Sequence, residues 1–275
     1  MTNLIKRALT GAVYVALIVC SLLFGGDWGF PLLSCLFAAG ALIEFYRMGE
    51  PQGSRPSILS LDIAAGVLLT ASPLAIAFHP NGIIYVLALI CVAIVARCVA
   101  QLYSTEDNAF TRLSISMAGI VYISLPLAIA AGMSIWLSPM VVLALFVMLW
   151  LNDTGAYLVG SRIGKRRLME RISPKKSWEG FFGGLFFTAA GAAAMTPWIM
   201  GAYTPSSIAA CALIGLIISV AATWGDLVES MLKRSRGVKD AGHILPGHGG
   251  VLDRIDSLLI ASPVMALLQI LLMAR

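Results

Sequence analysis

Charged residues are scarce in this sequence: Asp, Glu, Lys and Arg make up 12% of its 275 residues, whereas 59% are hydrophobic. A water-soluble domain needs more charge on its surface, and its core could not bury this much apolar area. The apolar runs also lack the short apolar-polar alternation of barrel strands. The sequence therefore predicts an all-α, polytopic integral membrane protein, because helices satisfy their own backbone hydrogen bonds in lipid.

Cysteine and histidine are also few. All five cysteines fall within apolar runs and none has metal-ligand spacing, so they are expected to be buried thiols. No basic patch interleaved with aromatic residues is present, which argues against nucleic acid as a partner. The pI of about 9.1 is instead attributed to membrane topology and to attraction for anionic membrane lipids.

Nine apolar runs are long enough to be spans. The first follows Lys6 and Arg7 but has no small-residue cleavage site, so it is interpreted as a retained span rather than a signal peptide. The expected architecture has about nine transmembrane helices, at 8–24, 29–46, 58–78, 82–101, 113–132, 137–158, 180–200, 207–232 and 251–273.

The cations indicate the orientation. If the N-terminus and every second loop face the cytoplasm, 18 of the 19 lysines and arginines lie on that side. An odd number of spans then places the C-terminus on the outer face. The predicted division is into N-terminal membrane helices at 1–135 (spans 1–5) and a C-terminal catalytic membrane region at 136–275 (spans 6–9), which carries two basic cytoplasmic loops.

The first region holds two acidic residues at membrane depth, Glu44 and Asp62. Such residues are candidates for function. Both lie near a predicted cytoplasmic end, so reaching to the interface or pairing with Arg47 or Arg55 is the simpler interpretation.

The segment 230–256 concentrates charge, glycine and two of the three histidines. Just upstream and within it, four polar residues recur at helical spacing on one face: Asp226, Glu229, Ser230 and Lys233. Asp253 and Asp256 share a face in the same way. Carboxylates on two helix ends, joined by a loop rich in glycine and cations, suit a divalent cation bound together with a polyphosphate.

A second polar group precedes this segment. Asn152 and Asp153 lie near the inner end of span six, and Ser173-Pro174 predicts a helix start that places Lys175 and Lys176 at the opening of span seven. Glu179 follows in the first turn. These residues and the acidic residues of 226–256 are expected in one layer near the inner surface, where lipid phosphates also lie.

Simpler explanations remain open for several of these residues. Topology alone accounts for many cations, and Asp226 or Asp253 could pair with Lys233 or Arg254. Burying several carboxylates at one depth is costly without compensation, which favours a metal. Oxygen ligands without a Cys/His set indicate Mg²⁺, and a second cation stays an open alternative. His243 and His248 fit phosphate or loop contacts better than a metal site.

The same residues resemble a known signature. The pattern of Ser230, Lys233-Arg234, Lys239-Asp240, Gly242, Pro246, His248-Gly249-Gly250, Asp253-Arg254 and Asp256 is similar to that of the phosphatidate cytidylyltransferases, the CDP-diacylglycerol synthases. The resemblance extends to Asn152-Asp153, 173–180 and Gly225-Asp226. It implies a Mg²⁺-dependent homodimer of the bacterial inner membrane that converts CTP and phosphatidate into CDP-diacylglycerol and pyrophosphate at its cytoplasmic face.

Site residues follow from the resemblance position by position. Asp226 and Asp253 resemble metal ligands, and the positions that resemble phosphate contacts are Lys175, Lys176, Lys233 and Arg234. The expected catalytic group is Asp226, Asp253, Lys233, Arg234 and Asp256. The expected substrate-binding group is Asn152, Asp153, Lys175, Lys176, Ser177, Glu179, Ser230, Lys239, His248, Gly249, Gly250 and Arg254.

Two other classes compete with this interpretation. A multi-span transporter could use the carboxylates as an ion path, but transporter sites usually lie near the midplane in matched positions of two halves. A CTP-using enzyme that acts on another lipid phosphate is the second alternative. The acidic signature of the CDP-alcohol phosphatidyltransferases is absent from the sequence.

Overall fold

A computed structural model describes residues 3–49, 56–104, 108–201, 204–242, 244 and 249–273. The described chain is mostly helical and contains one short hairpin. In chain order its elements are α1 (Asn3–Leu23), α2 (Gly26–Gly49), α3 (Pro56–Thr70), α4 (Ser72–Phe78), α5 (Gly82–Leu102), α6 (Ala109–Gly119), a π-helical turn (Ile120–Ser124), α7 (Leu125–Trp136), α8 (Pro139–Ile163), β1 (Arg167–Met169), β2 (Ser173–Ser177), α9 (Trp178–Ala194), α10 (Thr196–Met200), α11 (Pro205–Ser235) and α12 (Leu252–Met273).

Six helical segments among the described residues are long and apolar enough to cross a membrane: Gly26–Gly49, Gly82–Leu102, Ala109–Trp136, Pro139–Ile163, Pro205–Ser235 and Leu252–Met273. A seventh is obtained if α3 and α4, bent by 40° at their junction, form one broken span. The prediction of a helical, polytopic membrane protein is thus confirmed. Of the other two predicted spans, 8–24 falls on the shorter apolar stretch Leu9–Leu23 of α1, and 180–200 is divided between α9 and α10. The count of nine therefore stays a prediction.

Side-chain caps explain where three of these helices begin. Ser138 and Thr204 each precede a proline at the first helical position and accept a hydrogen bond from a backbone N–H of the first turn. Ser177 caps α9 in the same way, with the N–H of Gly180 donating at 3.1 Å. These Ser/Thr signals fix the starts of α8, α9 and α11 locally.

The chain forms two compact units. The first contains Met1–Trp136 and Asp240–Ile255, and the second contains Leu137–Lys239 and Asp256–Arg275. The break after Trp136 lies one residue from the predicted boundary, and the segment 240–255 belongs with the N-terminal helices. The first unit therefore includes part of the glycine-rich segment that the sequence groups with the C-terminal region.

A buried ion pair crosses the first unit. Arg97 of α5 lies 2.9 Å from Asp62 of α3, and Ser116 of α6 donates to the same carboxylate at 2.6 Å. Arg97 also donates to Gln101 at 2.9 Å. Asp62 therefore pairs with Arg97, whereas Arg47 is exposed and Arg55 lies outside the described residues. This network ties three helices together.

In the second unit, α8 and α9 approach closely through glycines. A Cβ added to Gly155 would lie 2.8 Å from the carbonyl oxygen of Gly183, and one added to Gly180 would lie 3.2 Å from the Cα of Gly160. Small residues are what allow helix backbones in membranes to come this close. The packing brings the inner end of α8 against the start of α9, where the polar residues lie.

A two-stranded antiparallel hairpin connects these two helices. Arg167 pairs with Ser177 and Met169 with Ser173, with an irregularity in register between the two pairs. The all-α expectation missed this element. The helix start predicted at Ser173-Pro174 is wrong, because these residues open β2, which carries Lys175 and Lys176, and α9 begins only after Ser177. The strands of the hairpin are short and carry Arg, Lys, Ser and Pro in place of alternating apolar residues, so period and propensity gave no signal for it.

Candidate active site

A cavity of about 400 Å³ in the second unit collects six of the predicted site residues. That volume lies within the usual range for small-molecule sites. Its walls come from α8, the hairpin, α9 and α11. The predicted residues that line it are Asn152, Asp153, Lys175, Lys176, Ser177 and Asp226.

The central polar contact of the cavity joins β2 to α11. The ammonium of Lys176 lies 2.5 Å from a carboxylate oxygen of Asp226, and both side chains remain partly exposed. The other oxygen of Asp226 accepts a hydrogen bond from Ser230, one turn further along α11, at 3.2 Å. Asp226 therefore pairs with a lysine 50 positions earlier, and Lys233, the partner suggested by helical spacing, lies elsewhere.

Three carboxylates share this region of the second unit. The charges of Asp226, Asp153 and Lys176 all act on the carboxylate of Asp256. Gly225 allows the close approach, since a Cβ there would lie 2.9 Å from the carbonyl oxygen of Asp256. Acidic side chains grouped in this way offer the oxygen ligands that a hard divalent cation prefers.

Asn152 supports the cavity wall through a buried hydrogen bond. It is buried, and its side-chain oxygen accepts a hydrogen bond from Ser219 of α11 at 2.5 Å. It also packs against α9, where a Cβ on Gly184 would lie 2.6 Å from the same oxygen. Asn152 thus joins α8, α9 and α11 beside the cavity.

Glu179, in the first turn of α9, joins this helix to the residues that follow α8. Its carboxylate accepts backbone hydrogen bonds from Lys165 at 3.0 Å and from Arg166 at 3.2 Å. The pKa of Glu179 lies below its usual value, mainly because its own backbone N–H stabilises the charged form, with further help from the N–H groups of Lys165 and Arg166. Glu179 does not line the cavity; it holds the end of α8 to the start of α9.

Three other predicted cations of the second unit lie outside the cavity wall. Lys233 is buried and pairs with the buried Glu229 one turn earlier on α11. Arg234 donates to the carbonyl oxygens of Val238, at 3.0 Å, and Ile172, at 3.4 Å, so it holds the end of α11 and the hairpin. Lys239 is exposed at the end of this unit.

Four more predicted residues belong to the first unit. The carboxylate of Asp253 accepts hydrogen bonds from the N–H groups of Gly250 at 2.8 Å and Ala241 at 3.1 Å. Gly249, with φ of 79°, forms the turn before it. The carbonyl oxygen of Arg254 accepts from Tyr14 at 2.9 Å. His248 lies outside the described residues.

Some cavity residues were missed from the sequence. Tyr157 and Ser161 of α8 line it together with Asp153, and their spacing of four places them on one helix face. That spacing was a usable signal. Phe181 and Thr223 also line the cavity, but neither residue type stands out in an apolar sequence.

A metal site built from protein ligands alone is not found in the described part of the chain: no three His, Cys, Asp or Glu side chains there are arranged to hold an ion. Mg²⁺ in phosphate-handling sites is typically bound by one or two carboxylates, with water and substrate phosphates completing the shell. Asp226 and its neighbouring carboxylates fit that more open arrangement.

Comparison with known proteins identifies the family. The model of the cytidylyltransferase family matches residues 5–272. The chain belongs to this family.

Named relatives agree with that match. The chain is 35% identical to a phosphatidate cytidylyltransferase of Staphylococcus saprophyticus over 271 residues, which cover 96% of this chain and 98% of the relative. It is 40% identical to the phosphatidate cytidylyltransferase of Staphylococcus aureus over 170 residues, 61% of each chain. The enzyme of that name from Staphylococcus epidermidis is 38% identical over 170 residues, again 61% of each chain. The family resemblance seen in the sequence is thereby confirmed.

Proposed function

We propose that this chain is a phosphatidate cytidylyltransferase, which converts CTP and phosphatidate into CDP-diacylglycerol and pyrophosphate. The observation that carries the proposal is the cavity of the second unit, where the lysines of β2 meet Asp226 of α11 in a member of the cytidylyltransferase family. A nucleoside triphosphate needs cationic side chains for its phosphates, and its metal counter-ion needs carboxylate ligands; this cavity wall carries both.

In the proposed reaction, an oxygen of the phosphatidate phosphate attacks the α-phosphorus of CTP. A new P–O bond forms, the bond to the β-phosphate oxygen breaks, and pyrophosphate leaves with the electron pair. A phosphate monoester has a second pKa of about 6, so the attacking oxygen is mostly ionised at neutral pH. No protein group needs to remove a proton.

The main work of the protein is then to position two anions against each other. Lys175 and Lys176 are the proposed contacts for phosphate oxygens, and both lie on the cavity wall. Asn152 fixes that wall through its buried hydrogen bond. In this proposal Lys176 also keeps Asp226 oriented when the phosphates are bound.

Mg²⁺ is the proposed cofactor, with Asp226 as its ligand in the second unit and Asp153 and Asp256 nearby. When bound, it would neutralise charge on the triphosphate and on the departing pyrophosphate. The second predicted ligand, Asp253, belongs to the first unit, and its assignment stays a prediction. So do the further cation and the phosphate-contact roles of Lys233 and Arg234.

The proposed location is the inner membrane of a bacterium, with the cavity open to the cytoplasm. The one-sided distribution of lysine and arginine supports this orientation. Nine crossings would leave the N-terminus inside and the C-terminus outside. The homodimer is proposed on the family resemblance alone.

The test is an assay of purified protein in mixed micelles that contain phosphatidate, CTP and Mg²⁺. Formation of CDP-diacylglycerol with equimolar pyrophosphate is expected, and Asp226→Asn should lower kcat by about 100-fold or more. Lys176→Met should raise KM for CTP, whereas Lys165→Met, an exposed lysine outside the cavity wall, should leave both constants near wild type.

Other outcomes would identify the competing classes. Consumption of CTP only with a different lipid phosphate would assign another substrate. Ion flux into proteoliposomes without nucleotide consumption would favour the transporter.

A further inference from the structure

Glu44 forms a long-range contact within the first unit that the proposed mechanism does not use. It is 2% exposed, and its carboxylate accepts a hydrogen bond of 2.9 Å from the N–H of Leu252, the first residue of α12. The two residues are 208 positions apart. Val251, which precedes α12, has no side-chain acceptor, so Glu44 supplies from α2 the cap that this helix start lacks.

Two glycines of the segment 240–253 pack directly on the same carboxylate. A Cβ added to Gly242 would lie 2.6 Å from Glu44 Cδ, and one added to Gly250 would lie 2.8 Å from it. One turn earlier on α2, Gly40 leaves room for Val251, since a Cβ there would lie 2.9 Å from the valine side chain. The surface of α2 that carries Gly40 and Glu44 therefore packs closely against Gly242, Gly250 and Val251.

The backbone that contacts Glu44 also orients Asp253. Gly250 packs on the Glu44 carboxylate, and its N–H donates to Asp253 at 2.8 Å. Ala241, the neighbour of Gly242, donates to the same aspartate at 3.1 Å. A shift of either glycine would thus move a hydrogen-bond donor of Asp253.

A buried acid could also be a purely structural helix cap. The observation against this is specific: the carboxylate is buried between two glycines, and a methyl group at either position would displace the Glu44 side chain. A helix cap requires one acceptor and does not require such close backbone packing on both sides.

We propose that Glu44 is a positioning residue for cytidylyl transfer: it holds the backbone at Gly242, Gly250 and Leu252 so that Asp253 keeps one orientation. The inference rests on the proposed function, because the reaction is what makes the orientation of Asp253 matter. Glu44 acts through this backbone and does not touch substrate.

The first experiment combines Glu44→Ala with Gly242→Ala. Each single variant should lower kcat by about tenfold or more, as the loss of groups that support a site usually does, with KM for CTP changed less than about threefold. In the Glu44→Ala background the methyl group of Gly242→Ala has room, so the second change should cost less than about twofold. Losses that multiply in the double variant, or full activity of either single variant, would overturn the proposal.

The second experiment does not depend on turnover. Hydrogen exchange measured by mass spectrometry should become faster in Glu44→Ala for peptides that contain Gly250–Asp253, with peptides from α8 and α9 unchanged. Asp27→Asn, an exposed acid on the same helix, is the matched control and should change neither. Unchanged exchange at 250–253 contradicts the proposal, and so does a uniform loss of protection.

Two cases need separate treatment: a variant that does not fold, and a wild-type protein without activity. If Glu44→Ala does not fold, Glu44→Met keeps the length of the side chain and removes both oxygens, and the same local exchange and kcat criteria apply to it and to Gly250→Ala. If the wild-type protein makes no CDP-diacylglycerol, the proposed function fails, whereas the exchange measurements still report whether Glu44 holds the segment.

Discussion

The ammonium of Lys176 and the carboxylate of Asp226 lie 2.5 Å apart on the wall of the second unit's cavity, joined from a strand and a helix 50 positions apart in sequence. Both side chains are partly exposed, with 25% and 32% of their surface accessible. Exposed ion pairs contribute little to stability. The pair is therefore expected to contribute more to the function of the cavity than to the stability of the fold.

Removing the charge of Asp226 should therefore affect activity far more than stability. Asp226→Asn should lower the free energy of unfolding by less than about 1 kcal/mol, because solvent screens the pair. Its kcat should nevertheless fall by about 100-fold or more. Thermal unfolding in detergent and steady-state assays on one preparation measure the two quantities. An unfolding midpoint many degrees lower would show that the pair is structural.

The ion pair between Asp62 and Arg97 should behave in the opposite way, because it is buried in the first unit. Arg97→Met leaves a buried carboxylate without its cation and should cost about 3–5 kcal/mol. Changing Asp62→Asn in the same chain should recover part of that loss. Arg47→Met, at an exposed position, is the control. Equal losses in Arg97→Met and in the double variant would contradict this expectation.

Close packing of α8 on α9 predicts a steric effect. Gly183→Leu places a side chain where a Cβ alone would lie 2.8 Å from the carbonyl oxygen of Gly155, so α9 must move away. We expect a loss of at least about 2 kcal/mol in unfolding free energy. Ala190→Leu adds the same side chain at an exposed position of α9 and should be nearly neutral. A stable Gly183→Leu variant would mean that the helices can separate without cost.

Glu179 predicts a pH dependence. Hydrogen bonds lower its pKa in the folded protein, so its contribution is fully present at neutral pH. That contribution begins to fall below the ordinary pKa of glutamate and is lost as the pH passes below the lowered value. Glu179→Gln should therefore flatten the decline of stability between neutral and acidic pH, whereas the exposed Glu170→Gln should not. Thermal unfolding measured at several pH values checks this.

Trypsin provides a second measurement of the same contact. Since Glu179 holds the N–H groups of Lys165 and Arg166, cleavage after these residues should be faster in Glu179→Gln at neutral pH. An unchanged cleavage rate would indicate that other contacts fix the connection between α8 and the hairpin.

Local signals in the sequence identified much of this fold. Long apolar runs located the main helices, whereas the one helix start read from a Ser-Pro pair, at Ser173-Pro174, is the start of a strand. Among the residues that helical spacing selected around 226–233, only Asp226 lines the cavity. The other predicted wall residues came from the polar groups at 152–153 and 173–180.

The remaining features depend on contacts between distant parts of the chain. Helical spacing suggested Lys233 as a partner for Asp226, but the partner is Lys176. Glu44 accepts a hydrogen bond from the backbone N–H of Leu252, 208 positions away. Every residue type except proline carries this donor, so the sequence does not indicate the contact. The hairpin was missed because its residues are polar and its strands are short. Single-sequence patterns report periodicity along one element and cannot report which elements meet.

The short strand before α9 has a consequence for how tightly an anion can be held. Flexible lysines in an open loop lose backbone and side-chain freedom when they bind, and that entropy loss weakens binding. Here the backbone of Lys175 and Lys176 is already fixed by strand pairing and by the Ser177 cap that follows. Much of the backbone ordering has therefore occurred during folding, so an arriving triphosphate restricts mainly the lysine side chains.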